Sequence, residues 1–143
     1  MLEQEIINRR NKMYSDFVGC AFRSYNYFHW GVDELVYEAG LKAELEELGY
    51  CVLRQQEFPI YYKGKPTEVN RKMDLVVTDK VLGPVIIELK AIEYISDVQR
   101  SQLWSYMKLL NNRYGMLINF SPKGVYSENW ILGESTQDPC IRV

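Results

Sequence analysis

One run constrains the fold of this chain more than any other: Val85-Ile86-Ile87-Glu88-Leu89-Lys90-Ala91-Ile92. β-Branched and aliphatic residues fill it and Gly83-Pro84 punctuates its start, so it reads as a buried strand. Side chains alternate along a strand, so Glu88 and Lys90 share a face while Leu89 points the other way. Ile86 lies on the charged face and the opposite face is equally apolar, so neither reads as freely solvated. A carboxylate and an ammonium buried without partners are costly. The strand therefore predicts a use for the pair, with complementary groups supplied from elsewhere in the chain.

Upstream of this strand the pattern is helical. Polar residues up to about Asn11 are expected to fray. Met13, Phe17, Cys20, Ala21 and Tyr25 then recur at helical spacing, and the pattern breaks at Phe28-His29-Trp30-Gly31. A second helix is expected from Gly31-Val32-Asp33 to Leu48-Gly49, with core stripe Tyr37, Leu41, Leu45 and Leu48. Glu34 heads that stripe, either favoured there by the helix dipole or placed there for chemistry. Gly40 stands mid-helix, where it costs about 1 kcal/mol relative to alanine, so a neighbouring element is expected to approach closely.

Three strands follow. Tyr50 to Tyr62 is rich in β-formers but interrupted by Arg54-Gln55-Gln56-Glu57 and Pro59, and reads as one bent strand or two short ones at an edge. After a turn at Lys63-Gly64-Lys65-Pro66 comes Met73-Asp74-Leu75-Val76-Val77, with Asp74 and Val76 on one face. The Glu88/Lys90 strand completes a meander. Ser96 and Asp97 announce a third helix running to about Leu110, on which Gln102 and Tyr106 are surface neighbours four apart. Tyr114 to Phe120 is a further buried strand. Val125 to Leu132 is an edge strand or an irregular pass, and Gly133 to Val143 reads as a loose tail.

The 143 residues suit one domain, with a core over about residues 13–132. No apolar run is long enough to span a membrane, and the polar, acidic Met1-Leu2-Glu3-Gln4 is not that of a signal peptide. Three scattered cysteines show neither metal-ligand spacing nor a disulfide framework, which suits a reducing cytoplasm. A net charge of −2 argues against nucleic-acid binding by the whole surface and leaves room for a local basic patch. One histidine excludes histidine-rich zinc sites, and no serine or cysteine has a triad around it.

Adjacent strands bring Asp74 and Glu88 within reach of one cation. Hard oxygen ligands of this kind suit Mg²⁺ or Mn²⁺, which share phosphate oxygens with a substrate. Such an ion polarises a scissile phosphate and acidifies a water, while Lys90 orients that water or stabilises developing charge. Gln102 and Tyr106 are placed to hold a phosphate or the lysine. Spacing alone leaves a second reading open, in which Asp74 ends a strand, Glu88 and Lys90 form a cross-strand ion pair and Gln102 and Tyr106 edge an amphipathic helix.

At this point the residues resemble a family. Gly31-Val32-Asp33-Glu34-Leu35-Val36-Tyr37 matches the signature of the GxxExxY proteins. Asp74 followed by Glu88-Leu89-Lys90 resembles the PD-(D/E)XK nuclease signature, although Lys72-Met73 replaces its proline. Gln102-Leu103-Trp104-Ser105-Tyr106 is similar to the QxxxY motif of nucleases related to the bacterial recombination exonucleases. Gly115 to Phe120 resembles the family's following strand.

The resemblance implies an α/β fold: a restriction-endonuclease-like αβββαβ core with a central mixed sheet flanked by helices. It implies Asp74 and Glu88 as metal ligands, the Leu89 carbonyl as a third, Glu34 as a further acidic residue near the metal, Lys90 as the catalytic lysine, and Gln102 and Tyr106 in support. The expected activity is Mg²⁺- or Mn²⁺-dependent hydrolysis of DNA phosphodiester bonds. Lys63, Lys65, Arg71 and Lys72, in and after the first hairpin, are the candidates for phosphate contacts, or else a solvated turn. Without a separate DNA-binding domain, tight binding calls for a homodimer or a partner protein. Two alternatives remain: a non-catalytic nucleic-acid-binding or protein-interaction module that keeps the fold, and hydrolysis of another phosphate ester.

Overall fold

The computed structural model describes residues 2–134 and 140–143. Its elements run α1 (Glu3–Phe28), α2 (Glu34–Glu47), β1 (Cys51–Tyr62), β2 (Lys65–Asp79), β3 (Gly83–Lys90), α3 (Asp97–Leu110), β4 (Tyr114–Ser121), β5 (Gly124–Leu132) and β6 (Cys140–Arg142). The strands form one sheet in the order β1-β2-β3-β4-β5-β6. All neighbours are antiparallel except β3 and β4, which run parallel because α3 carries the chain back across the sheet between them. The expected α/β order of helices, three-strand meander, helix and strand is present.

Alternation along the central strands divides the core in two. Leu75, Val77, Val85, Ile87, Leu89, Met116, Ile118 and Phe120 face α1 and α2, meeting Phe17, Cys20, Tyr37, Leu41 and Leu45. Ile86 and Leu117 face α3 and meet Leu103, Tyr106 and Met107. β3 is therefore apolar on both sides, as its composition demands, and β4 is buried throughout. At the crossing of α1 and α2 a side chain on Gly40 would collide with Ser24 and lie 3.1 Å from the Phe28 ring, so the mid-helix glycine does mark a close approach. α2 starts at Glu34, one residue after Asp33, whose carboxylate accepts from the Leu35 and Val36 amides. α3 has the expected Ser96 cap, completed by Gln99 into a capping box.

Several boundaries differ from expectation. The N-terminal residues are helical from Glu3. Arg9 reaches across to the end of β2 and donates to Asp79 from Nε at 3.1 Å and Nη2 at 2.8 Å, which fastens the first turns. Asp79 is 2% exposed and also accepts from the Val81 and Leu82 amides, so one carboxylate holds the β2–β3 turn and the start of α1. Leu48 is half exposed because α2 ends at Glu47, before the stripe reaches it.

β2 begins at Lys65, well before Met73, because its first half pairs with β1 alone and has no burial pattern to reveal it. β5 is regular and not at the edge. Cys140–Arg142, expected to belong to a loose tail, pairs with it as β6, while residues 135–139 of that tail lie outside the described residues. Among the described residues no helix is long and apolar enough to cross a membrane.

The outer strands are locked by one buried acid. Glu128 on β5, 1% exposed, accepts from Arg100 of α3 at 2.6 and 2.8 Å, from Tyr126 Oη at 2.6 Å and from Trp130 Nε1 at 3.2 Å. Burial alone pushes its carboxyl upward, but the Arg100 and Tyr126 hydrogen bonds and the Arg100 charge outweigh burial and hold it below its ordinary value. Such a group stabilises the fold fully above the unfolded carboxyl value and loses that contribution as pH falls through the lower, folded one. We expect Glu128→Ala to cost about 3 kcal/mol at neutral pH by stranding Arg100. Urea unfolding of both proteins should show the gap narrowing as pH drops below the ordinary carboxyl value of 4.5; a gap that widens on acidification contradicts the assignment.

Candidate active site

The β2–β3 ladder ends one step short of its acidic residues. Pairing runs from Asp79↔Gly83 to Leu75↔Ile87, and the next register position would set Asp74 opposite Glu88. There the side chains replace the backbone exchange. Asp74 Oδ2 accepts from the Leu89 amide at 2.8 Å, and Glu88 Oε1 accepts from the Asp74 amide at 3.3 Å. Each carboxylate is fixed through one oxygen to the other strand. Residues opposite one another across a sheet share a face, so both acids point toward the α3 side. Glu88 is 1% exposed and Asp74 half-buried.

Lys90, two residues along β3, lies on the same face. Its Nζ donates to Gln102 Oε1 at 3.0 Å, and Gln102 Nε2 donates to Tyr106 Oη at 3.0 Å. The i,i+4 spacing on α3 makes this chain possible. Phe58 of β1 packs edge-on against the Tyr106 ring at 5.4 Å, fixing the far end. The lysine is thus aimed by a helix rather than paired with the neighbouring acids. Glu34 enters from the first turn of α2, close enough for the Asp74 charge to act on its carboxyl.

These groups line one cleft of about 410 Å³ with Gln55, Glu57, Asn70, Arg71 and Lys72. The structure therefore brings together Glu34, Asp74, Glu88, Lys90, Gln102, Tyr106, Arg71 and Lys72. Leu89 contributes its amide to Asp74, while its side chain is in the α1/α2 core. Lys63 and Lys65 stand apart at the hairpin tip, where Lys63 Nζ lies 5.5 Å from the Tyr62 ring centroid. His29 is exposed at the end of α1, away from the cleft lining.

The composition of the cleft dominates its electrostatics. Burial, then the Asp74 charge, pushes Glu88 up to about 9, although Lys90 pulls the other way. Burial followed by the Asp74 charge also raises Glu34, to about 7. Glu34, Asp74 and Glu88 crowd around Lys90 in a recess whose wall also carries Glu57, Arg71 and Lys72, and the burial of Glu34 and Glu88 favours protons or another cation beside them. The donors are hard oxygens, which fit Mg²⁺ or Mn²⁺ and not a soft metal. Among the described residues no three or more acidic, His or Cys side chains stand together as a complete metal cage. A small hard cation takes one or two protein carboxylates and leaves its other positions to carbonyls, water and phosphate, and Asp74 and Glu88 are two such groups.

The interrupted part of β1 conceals residues that its composition did not mark as functional. Gln55 has φ 51° and is skipped in the pairing, which passes from Arg54↔Leu75 to Gln56↔Met73. It is a bulge that turns a side chain toward the cleft. Beneath it lies Glu38 of α2, whose side chain is fully buried and accepts from Arg54 Nε at 2.9 Å and Gln55 Nε2 at 2.8 Å. The break in β-formers at Arg54–Glu57 was the one signal for this bulge. If like charge destabilises the cleft, Glu34→Gln and Glu88→Gln should leave metal-free stability unchanged or raise it by up to about 1 kcal/mol. Denaturant unfolding in a chelator checks this, and a loss exceeding 1 kcal/mol in both variants contradicts it.

A family model described as the PD-(D/E)XK nuclease superfamily matches residues 11–130. No curated protein matches this chain. Among solved structures, one titled "Crystal structure of SSO0001" is similar at 17% identity and a TM-score of 0.49, over 67% of this chain and 48% of that one. The chain thus spans about half the length of that solved relative.

Proposed function

Because this chain belongs to the PD-(D/E)XK nuclease superfamily, we propose that its cleft hydrolyses DNA phosphodiester bonds with the help of Mg²⁺ or Mn²⁺. The observation that carries the reading is the convergence of Asp74, Glu88 and Lys90 where the β2–β3 ladder opens. Asp74, Glu88 and the Leu89 carbonyl would hold the ion, with Glu34 beside them. Once bound, the ion supplies Lewis acidity at the phosphate and acidifies the attacking water.

The remaining work falls to the chain's own groups. Lys90, held at 3.0 Å by Gln102, stands ready to orient the water and to stabilise charge that develops on the phosphate. Tyr106 fixes the Gln102 amide and thereby the lysine. Arg71 and Lys72, on the cleft wall, are placed to take flanking phosphates. The Gly31–Tyr37 segment and the Gln102/Tyr106 pair fit the GxxExxY group and a QxxxY nuclease motif, which supports a cleaving enzyme over a bare scaffold. A second reading, a binding module that keeps the fold, draws on the incomplete carboxylate cage.

Incubation of supercoiled and linear DNA with Mg²⁺ or Mn²⁺ separates the two. We expect cleavage that a chelator abolishes and that falls at least about 100-fold in both Glu88→Ala and Lys90→Ala. Cleavage surviving in both variants, or DNA binding without cleavage under all metal conditions, overturns the proposal.

A further inference from the structure

Beyond the cleft, β1 and β2 continue as a two-stranded arm that no helix covers. Every residue from Tyr61 to Lys72 is exposed. An isolated two-stranded ribbon is marginal in water, but this one is rooted in the sheet through the Phe58↔Arg71 and Gln56↔Met73 pairs. Its tip carries two strongly exposed aromatic rings, Tyr61 at 61% and Tyr62 at 67% exposure, with Tyr61 bordering a small cavity beside Leu109 and Leu110 of α3. They are successive strand residues and so project from opposite faces.

The charge of the arm is opposite to that of the chain. Residues 61–72 hold four basic side chains, Lys63, Lys65, Arg71 and Lys72, against the single acid Glu68, in a protein of net charge −2. The arm is continuous with the cleft, since Asn70, Arg71 and Lys72 belong to both. From Lys72 to Lys65 the strand covers about 23 Å. At its end Lys63 stands over the Tyr62 ring, pairing a cation with an aromatic face.

We propose that this arm is a docking surface for single-stranded DNA leading into the cleft. The proposal rests on the reading of the cleft as a DNA-cleaving site. Basic side chains track the phosphates, and the exposed tyrosine rings offer stacking faces to bases. Only unpaired bases offer free faces, because those of a duplex are stacked on each other. The arm therefore selects the unpaired strand, and the four basic residues supply salt-sensitive attraction.

Fluorescence anisotropy with a labelled oligothymidylate tests this, carried out in a chelator so that cleavage does not enter. Wild-type protein should bind the single strand more tightly than a duplex of equal length. The Tyr61→Ala/Tyr62→Ala double variant should bind at least about 10-fold more weakly, while Tyr61→Phe/Tyr62→Phe keeps its affinity. Lys63→Ala/Lys65→Ala should flatten the dependence of affinity on salt. Circular dichroism establishes that each variant is folded. Wild-type affinity in the alanine double variant, or duplex bound as tightly as single strand, overturns the proposal even if the protein cleaves DNA. Conversely, tyrosine-dependent binding by a protein that cleaves nothing supports the arm while the cleavage reading falls.

Discussion

Everything at the cleft depends on an exchange of hydrogen bonds. Where the β2–β3 ladder would continue at Asp74 and Glu88, the carboxylates take over the partners that backbone carbonyls would have supplied. An amide left unpaired in this interior costs about 1–3 kcal/mol, so neither acid is free to turn away. The opening is therefore both a structural solution and the means by which two acids are held side by side in an apolar setting. Burial first, and the Asp74 charge after it, raises Glu88 and Glu34, so protons or a cation are favoured beside them. Lys90 offsets only part of that rise, its ammonium being held by Gln102 of α3.

The rest of the restriction-endonuclease-like α/β fold keeps that opening fixed. Two apolar faces on β3 let helices pack from both sides, and the α3 crossover brings Gln102 and Tyr106 over the acidic face. Two further buried acids act as rivets away from the cleft. Asp79 joins α1 to the end of β2, and Glu128 joins α3 to the outer strands. Each is satisfied by an arginine and by other donors, which is the condition under which a buried charge stabilises rather than costs. Glu38 does the same beneath Gln55. Among the described residues no arginine hydrogen-bonds Glu34, Asp74 or Glu88, although Arg71 stands on the cleft wall.

Local periodicity made much of this legible. Alternation put Glu88 and Lys90 on one face, the i,i+4 rule joined Gln102 to Tyr106, and the apolar stripe placed Glu34 at the head of α2. The three-strand meander followed from short connections, whereas the place of β4 beside β3 emerged only with the structure. Features that depend on distant partners were hidden. The helical start at Glu3 depends on Arg9 meeting a residue of β2, and β6 depends on pairing with β5. The distal half of β2 has no buried face and so no period to read. Gln55 adopts a positive φ that glutamine does not advertise, and the basic residues of the hairpin divided between cleft wall and tip only once the strand lengths were known.

The proposed cation site lies where the two strands part. Anomalous diffraction from crystals grown with Mn²⁺ tests this most directly. One strong peak is expected between the Asp74 and Glu88 carboxylates, absent from crystals of Asp74→Asn protein. No peak at that position under conditions in which the protein cleaves DNA, or an equal peak in the variant, contradicts it.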